Sequence, residues 1–467
     1  MRQLSLLKNN KVAKAALVIK KYLNCREDII LKFSTEVKQK LFSLIDEMDS
    51  YHWLFTRTPE TDFSRKKKWT FGEVIKFIVS MEGKSLKDEL LEYFEYDNHT
   101  PSNSSFNQRR AQILPEAFEF LFREFTNAFR KEDAVYKGFR LIACDGSDIR
   151  IPYNPKDETT YIQTSSDARG YNVLHLNAFY DLCNRTYIDA EIQSSRQKNE
   201  DSAMCNMIDR YKGGNAIFIA DRNYESYNIF AHVMQKGLYY LIRVKDINST
   251  GILKSIILPS DNEFDICKKL ILTRKHTNEI KQQKDKYKFI PSRSTFDFLD
   301  TGTNIFFELN MRIVRFPISE DNYECIITNL PQELFNSNEI KQLYAKRWGI
   351  ETSFRELKYA IGMTRFHSMK TDYIKQEIWA RLTLYNFCEI ITNSVVVEKK
   401  EGRKHTYQLN YTRAIRICCY FIAIKKEKAP PDVEYLIGHE LLPVRTGRTD
   451  PRKVKSQSAI SFLYRTA

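Results

Sequence analysis

The sequence predicts an α/β fold, a mixed sheet flanked by helices, and three observations predict it. Short runs rich in β-branched and aromatic residues alternate with helical patterns between about residues 137 and 245. Two of those runs end on an Asp, at Asp145 and Asp221. A Pro-free stretch with helical periodicity, Tyr344–Lys358, follows a second strand-rich section. In order, the first section reads as strands at Phe139–Cys144, Tyr171–Tyr180 and Thr186–Ile192, then a helix at 199–211. A strand at Ala216–Ala220, a helix from Glu225 to about Gln235 closed by Gly237, and a strand at Leu238–Val244 complete it. The Asp-Leu-Cys-Asn-Arg connector after Tyr180 predicts a hairpin. A sheet with helices on its faces buries such an alternation.

Composition narrows the classes. At 467 residues the chain has room for two to four domains. Hydrophobic residues at 42% and aromatic residues at 13% mark a globular protein. Lys and Arg number 73 against 59 Asp and Glu, a net charge of +14, which favours a polyanionic partner. The nine Cys contain no C-x-x-C pair and the eight His no H-x-x-x-H pair. That argues against a disulfide framework, a Cys-rich zinc site and a zinc hydrolase. No apolar run approaches the roughly 20 residues of a membrane span, and the first residues lack the pattern of a signal peptide. A cytoplasmic protein without a membrane partner is expected.

The N-terminal region reads as helical. After the cationic cluster Arg65–Lys68, three short helices are expected. The first opens at Thr70 with Glu73 three residues on, a capping box, and carries Val74, Phe77, Ile78 and Met81 at helical spacing. The second opens at Ser85 with Asp88; the third opens at Thr100-Pro101 and stops by Pro115. The third presents Asn103, Asn107, Gln108, Arg109 and Arg110, side chains suited to base edges and phosphates. Two readings stay open: a helix-turn-helix that uses Arg109 and Arg110 on DNA, or a helical cap on the next domain.

Asp145-Gly146 ends the first strand in this reading, and Asp221 ends another. Ligands of open α/β sheets collect outside strand ends. Asp-Gly also reads as a turn, and Asp221 as a cap of the next helix. Asp148 rivals Asp145, but if the strand continues, the odd spacing puts it on the opposite face. Residues 246–336 then form a long section, basic at first (Arg274, Lys275, Lys281, Lys284, Lys286, Lys288), with strand-like runs at 304–316 and 323–328. Within it Tyr287, Phe289, Phe306 and Phe307 are unranked candidates for stacking on a base.

In a single helix over 344–358, Tyr344, Arg347, Glu351 and Lys358 fall within an arc of about 60° at roughly 100° per residue. Leu343, Ile350 and Leu357 repeat every seven residues outside that arc and are expected to face a core. One carboxylate suits a metal, and two cations with a phenol suit phosphates. Glu356 lies round the helix and is excluded from the same site. The plainer reading is a solvated face with one i, i+4 ion pair, Arg347–Glu351. Beyond it, an apolar helix is expected at about 373–397, a charged linker at 399–404, a last helix at 407–424 and a basic tail at 445–455.

The spacing Tyr-x2-Arg-x3-Glu-x6-Lys, with the words Arg-Trp-Gly-Ile-Glu-Thr-Ser-Phe-Arg-Glu-Leu-Lys around it, resembles the signature of the bacterial insertion-sequence DDE transposases that carry a Tyr-Arg-Glu-Lys motif, often called the IS-four family. The stretch Thr100–Arg110 is similar to that family's N-terminal region. The resemblance implies a ribonuclease H-like core with a β-rich insertion, a helical N-terminal DNA-binding region and a helical C-terminal region. Boundaries follow at 1–132, 133–245, 246–336, 337–398 and 399–467. It implies that Asp145, Asp221 and Glu351 are catalytic and hold two Mg²⁺ ions, with Mn²⁺ as a substitute, and that Tyr344, Arg347 and Lys358 bind DNA phosphates. The implied partner is double-stranded DNA, as terminal inverted repeats and target, bound by a homodimer when synapsed, in the bacterial nucleoid. The implied activity is cleavage of the element's ends and joining of their 3′-OH groups to target DNA. Two alternatives remain: a related nuclease without strand transfer, and a non-catalytic DNA-binding descendant.

Overall fold

The computed structural model describes residues 32–65, 68–300, 305–320, 322–397, 406–424 and 429–444. The expected linker at 399–404 and basic tail at 445–455 lie outside the described residues, as do Lys66 and Lys67. Among the described residues no helix is long and apolar enough to cross a membrane.

Five helices come first: α1 (Phe33–Ser50), α2 (Phe71–Ser80), α3 (Leu86–Tyr93), α4 (Asn103–Arg110) and α5 (Pro115–Ala128). Thr70 and Ser85 cap α2 and α3 by accepting from the Glu73 and Asp88 N–H groups, as the sequence predicts. The cap of α4 is Ser102 rather than Thr100, because its hydroxyl accepts the Ser105 N–H. Pro115 opens α5 at N1 instead of merely ending α4. Trp69, Phe77, Phe94 and Phe106 interlock between α2, α3 and α4. This bundle shares one apolar core with the long helix described below.

The sheet is built from β1 (Arg140–Ile151), β2 (Tyr161–Ile162), β3 (Tyr171–Asp181), β4 (Thr186–Ser194), β5 (Ala216–Ala220), β6 (Tyr239–Val244), β7 (Phe264–Thr273), β8 (Tyr287–Phe289), β9 (Phe306–Ser319) and β10 (Asn322–Thr328). The path runs β2-β3-β1-β5-β6-β10-β9-β7-β8, with β4 also on β3. β1 is antiparallel to β3 and parallel to β5, and β5 is parallel to β6. Helices α6 (Glu200–Arg210) and α7 (Tyr227–Gln235) connect β4, β5 and β6 and pack on one face. Gly237, at φ +66°, closes α7 in the left-handed region that glycine tolerates.

One expectation changes here. The first strand does not stop at Asp145-Gly146: β3 pairs with β1 from Ile142 to Ile151, and Ile149 and Ile151 are buried. Alternating burial and continuous pairing outweigh the local turn preference of Asp-Gly. The stretch at 246–336 contributes β7 to β10. β10 pairs with β6, so its strands extend the central sheet.

On the other face lie α9 (Ser337–Lys346), α10 (Trp348–Tyr359) and α11 (Thr371–Thr392), after the short α8 (Asn278–Gln282). The expected single helix over 344–358 is broken at Arg347, which ends α9 and begins α10. There the Arg347 N–H bonds Tyr344 O at 3.0 Å and the Ile350 N–H bonds Arg347 O at 3.1 Å, three-residue bonds that tighten the turn. Leu343, Ile350 and Leu357 are fully buried, as their heptad spacing predicts. α12 (Tyr411–Ala423) and α13 (Val433–His439) pack against α11, and a small antiparallel pair, Tyr407–Leu409 with Leu441–Pro443, brackets them.

Candidate active site

The parallel register sets the first two acids. Arg140 pairs with Ala216 and Ala143 with Ile219; two residues further, the same register sets Asp145 opposite Asp221. Neighbouring strands lie about 4.8 Å apart. Asp221 follows β5 directly and accepts the Asn223 N–H at 2.9 Å, so the turn that ends the strand fixes its carboxylate. Asp145 shares its face of β1 with buried Ala143, Ile149 and Ile151, the face covered by α10.

Glu351 stands in the first turn of α10. Gly349 lets this helix end approach the sheet: a side chain there would meet Leu182 Cδ2 at 2.7 Å. Glu351 Oε1 accepts from Arg347 Nη2 at 2.8 Å, so the plain i, i+4 pair does form. The face is not solvated, however, since Arg347 is only 4% exposed. Asp221 and Glu351 both act electrostatically on Asp145. Burial raises the Asp145 carboxyl to about 6; the Gly146 N–H and Arg347 oppose the rise, while the charges of Asp221 and Glu351 add to it. Among the described residues, no three His, Cys, Asp or Glu side chains stand close enough, as placed, to hold one ion.

The cations divide. The Tyr344 ring lies between the guanidinium groups of Arg243 and Arg347, 5.8 and 5.7 Å from its centroid. Its hydroxyl also interacts with Arg347, which in turn bonds Glu351. The helix break turns Tyr344 toward the core on the sheet rather than along the arc of Glu351. Lys358 reaches back to donate to Asp148 O at 3.0 Å, and burial lowers its pKa. Glu356 bonds Tyr385 and Arg185, away from Asp145, as expected.

Arg109 and Arg110 require a correction. Arg110 is 0% exposed, and its guanidinium bonds Glu377 at 2.9 Å, Gln376 at 2.8 Å and Tyr373 O at 2.6 Å, all on α11. Arg109 is buried beside Gln112 and over the Phe63 ring. Neither faces a duplex in this arrangement, because their charge is spent joining α4 to its neighbours. Of the two N-terminal readings, the packed helical cap describes this geometry.

Two features escaped the sequence reading. Continued register places Arg243 of β6 in line with Asp221, on the face of Tyr344. A cation inside the otherwise apolar Leu238–Val244 run was its available signal. Asp148 lies on the other face of β1, as its odd spacing predicts, but its partners there were not foreseen: His175 Nδ1 meets it at 2.6 Å and Lys198 at 3.6 Å, and His175 Nε2 meets Glu200 at 3.0 Å. The His175 hydrogen bond is the main cause that keeps the Asp148 carboxyl below its usual range. A side chain at Gly146 would strike His175 Nε2 at 2.5 Å. Gly146 therefore serves close packing rather than a turn.

A mixed sheet carries one carboxylate within β1 and one just past the end of the adjacent parallel β5, with a third acid on a helix packed over them. Residues 136–387 match the family described as Transposase DDE domain, and the chain belongs to that family. No curated protein matches. Among solved structures, a piggyBac transposase synaptic complex with hairpin DNA is similar at 13% identity, with 88% of this chain and 87% of that chain covered and a TM-score of 0.42.

Proposed function

We propose that this member of the transposase family cleaves DNA at the ends of its mobile element and joins the freed 3′-OH groups to target DNA. The strand order β4-β3-β1-β5-β6, three antiparallel strands followed by two parallel ones, supports a ribonuclease H-like core. The observation that carries the reading is the placement of the acids: Asp145 and Asp221 in register across adjacent parallel strands, and Glu351 with Arg347 on the helix that covers that face. The Asp145 carboxyl is raised to about 6 by burial and by Asp221 and Glu351, with Arg347 as the opposing cation.

That donor set fits hard divalent ions in kind, since Mg²⁺ and Mn²⁺ take carboxylate oxygens. Asp145, Asp221 and Glu351 would hold the ions. When bound, two such ions activate the attacking oxygen and neutralise the leaving one. The chain's own groups do the rest. Arg347, beside Glu351 and Tyr344, is the cation placed to hold a phosphate oxygen. The Tyr344 hydroxyl, beside Arg347, is a second donor. Lys358 adds a cation beside β1, where it donates to Asp148 O. These groups favour an anionic phosphodiester at the carboxylates and orient it for in-line attack. The net charge of +14 favours a DNA partner, and a dimer is the expected synapsed form.

The test uses duplexes of the sequences bordering the gene, incubated with full-length protein and Mg²⁺. Glu351→Gln is expected to lower cleavage roughly 10³-fold while DNA binding in Ca²⁺ is retained. Undiminished cutting by that protein would remove the reading. Strand transfer from pre-cut ends then separates a transposase from a plain nuclease.

A further inference from the structure

A second cationic cleft opens on the far side of Asp221. It has a volume of about 420 Å³ and lies between the turn after β5 and the loop after β6. Arg222 and Asn223 form one wall, and Lys245, Gly251 and Ile252 the other. Arg222 directly follows Asp221, and Lys245 directly follows β6. By the β5–β6 register, Lys245 stands opposite Asn223. Across the sheet the row therefore runs Asp145, Asp221, then this cleft, while Lys358 lies on the β1 side.

The cleft has a built floor. Glu225 accepts the Lys245 N–H at 2.8 Å and also the Ile252 N–H. Its carboxylate thereby staples the 245–252 loop to the Asp221 turn. A side chain at Gly251 would strike Glu225 Oε1 at 2.4 Å and Lys245 Cβ at 2.9 Å, so the loop closes this tightly only with glycine there. The neighbouring Asp246 is held by Arg315 at 2.8 Å, and that hydrogen bond keeps its carboxyl near 2, so its charge is balanced locally. Glu225 faces backbone donors, and the exposed Arg222 and Lys245 supply the cationic heads of the cleft.

We propose that this cleft is a phosphodiester-binding subsite for the strand that leaves the carboxylates on the side away from Lys358, with Arg222 and Lys245 each taking one phosphate. The inference rests on the DNA-cleaving reading above. Two strands have this chemistry: the donor DNA flanking the element before cleavage, and the target DNA after it.

The double variant Arg222→Gln/Lys245→Gln is compared with wild type in Ca²⁺, on the same terminal duplex with and without flanking DNA, across a salt series. A strand-transfer assay with pre-cut ends and plasmid target runs in parallel with Mg²⁺. Both side chains are exposed, so an unchanged thermal midpoint is expected and checks the fold. If flank occupies the cleft, the variant loses roughly tenfold in affinity for the flanked duplex only, with a salt slope shallower by about 1.8. If target occupies it, end binding is unchanged and strand transfer falls by a similar factor. Wild-type levels in both assays overturn the subsite alone. Absence of DNA binding by the wild-type protein overturns the subsite and the proposed function together.

Discussion

Glu377 and Asp145 are both carboxylates withdrawn from water, and their surroundings push them in opposite directions. Burial alone would raise either one. At Glu377, the cations Arg110, His367 and Arg381 overcome burial and bring the pKa down to about 2. At Asp145, the nearest charged company includes Asp221 and Glu351, and the pKa rises to about 6 despite Arg347. The first carboxylate is completed by the protein; the second is left short of positive charge. Ion clusters of the first kind hold domains together, and a surplus of one sign in a cleft marks a place for a ligand of the other.

The comparison breaks most readily at Arg110. It joins α4 to α11 through Glu377, Gln376 and the Tyr373 carbonyl. Arg110→Ala leaves a buried anion short of its partner, which is expected to cost about 3–5 kcal/mol. Urea unfolding measures it, and Arg110→Ala/Glu377→Gln should recover part of the loss. A cost below about 1 kcal/mol would mean that the pair is not the buried bridge described here.

His367 sharpens the same side. Its ring meets Glu377 at 3.1 Å and lies 3.7 Å from Glu89, so it too joins α3 to α11. Burial would lower its pKa, but Glu377 and Glu89 raise it from 6.5 to about 9. A raised histidine contributes stability that is fully present below pH 6.5 and lost as pH rises through about 9. The loss is on the order of 3 kcal/mol. Thermal midpoints should therefore fall between neutral and alkaline pH. His367→Gln should be less stable at pH 6 and flatten that fall; an equal slope in both proteins would remove His367 as its source.

Much of this was legible, and the misses have physical causes. Caps at Thr70 and Ser85 depend on neighbours three residues away, so local sequence reveals them. The strand ends carrying Asp221 and the helix carrying Glu351 were visible through periodicity. The role of Arg110 was not, because a polar helix reads as exposed until another helix offers it Glu377. Gly146 misled for the same reason: the obstacle it avoids, His175, comes from a strand 29 residues onward. The break at Arg347 has no Pro to announce it. It follows from seating α9 on the sheet while Gly349 lets α10 close on Leu182. The alignment of Asp145 with Asp221 is a matter of register, which pairing sets and neither strand encodes alone.

Asp145→Asn tests the other half of the comparison, with the smallest expected effect and the opposite sign. A carboxyl raised from 3.8 to about 6 in the folded chain disfavours folding once it ionises. The folded state binds more protons between these values, so stability falls as pH rises through that window. Asn keeps the shape and removes the charge. The variant is expected to match wild type near pH 4 and to exceed it by about 1–3 kcal/mol above pH 6. Mg²⁺ should narrow that gap by stabilising wild type alone, since a cation that binds only the folded, ionised site adds its binding energy to folding. A substitution that instead destabilises at pH 7 would place Asp145 with Glu377, among the carboxylates whose partners the fold already supplies.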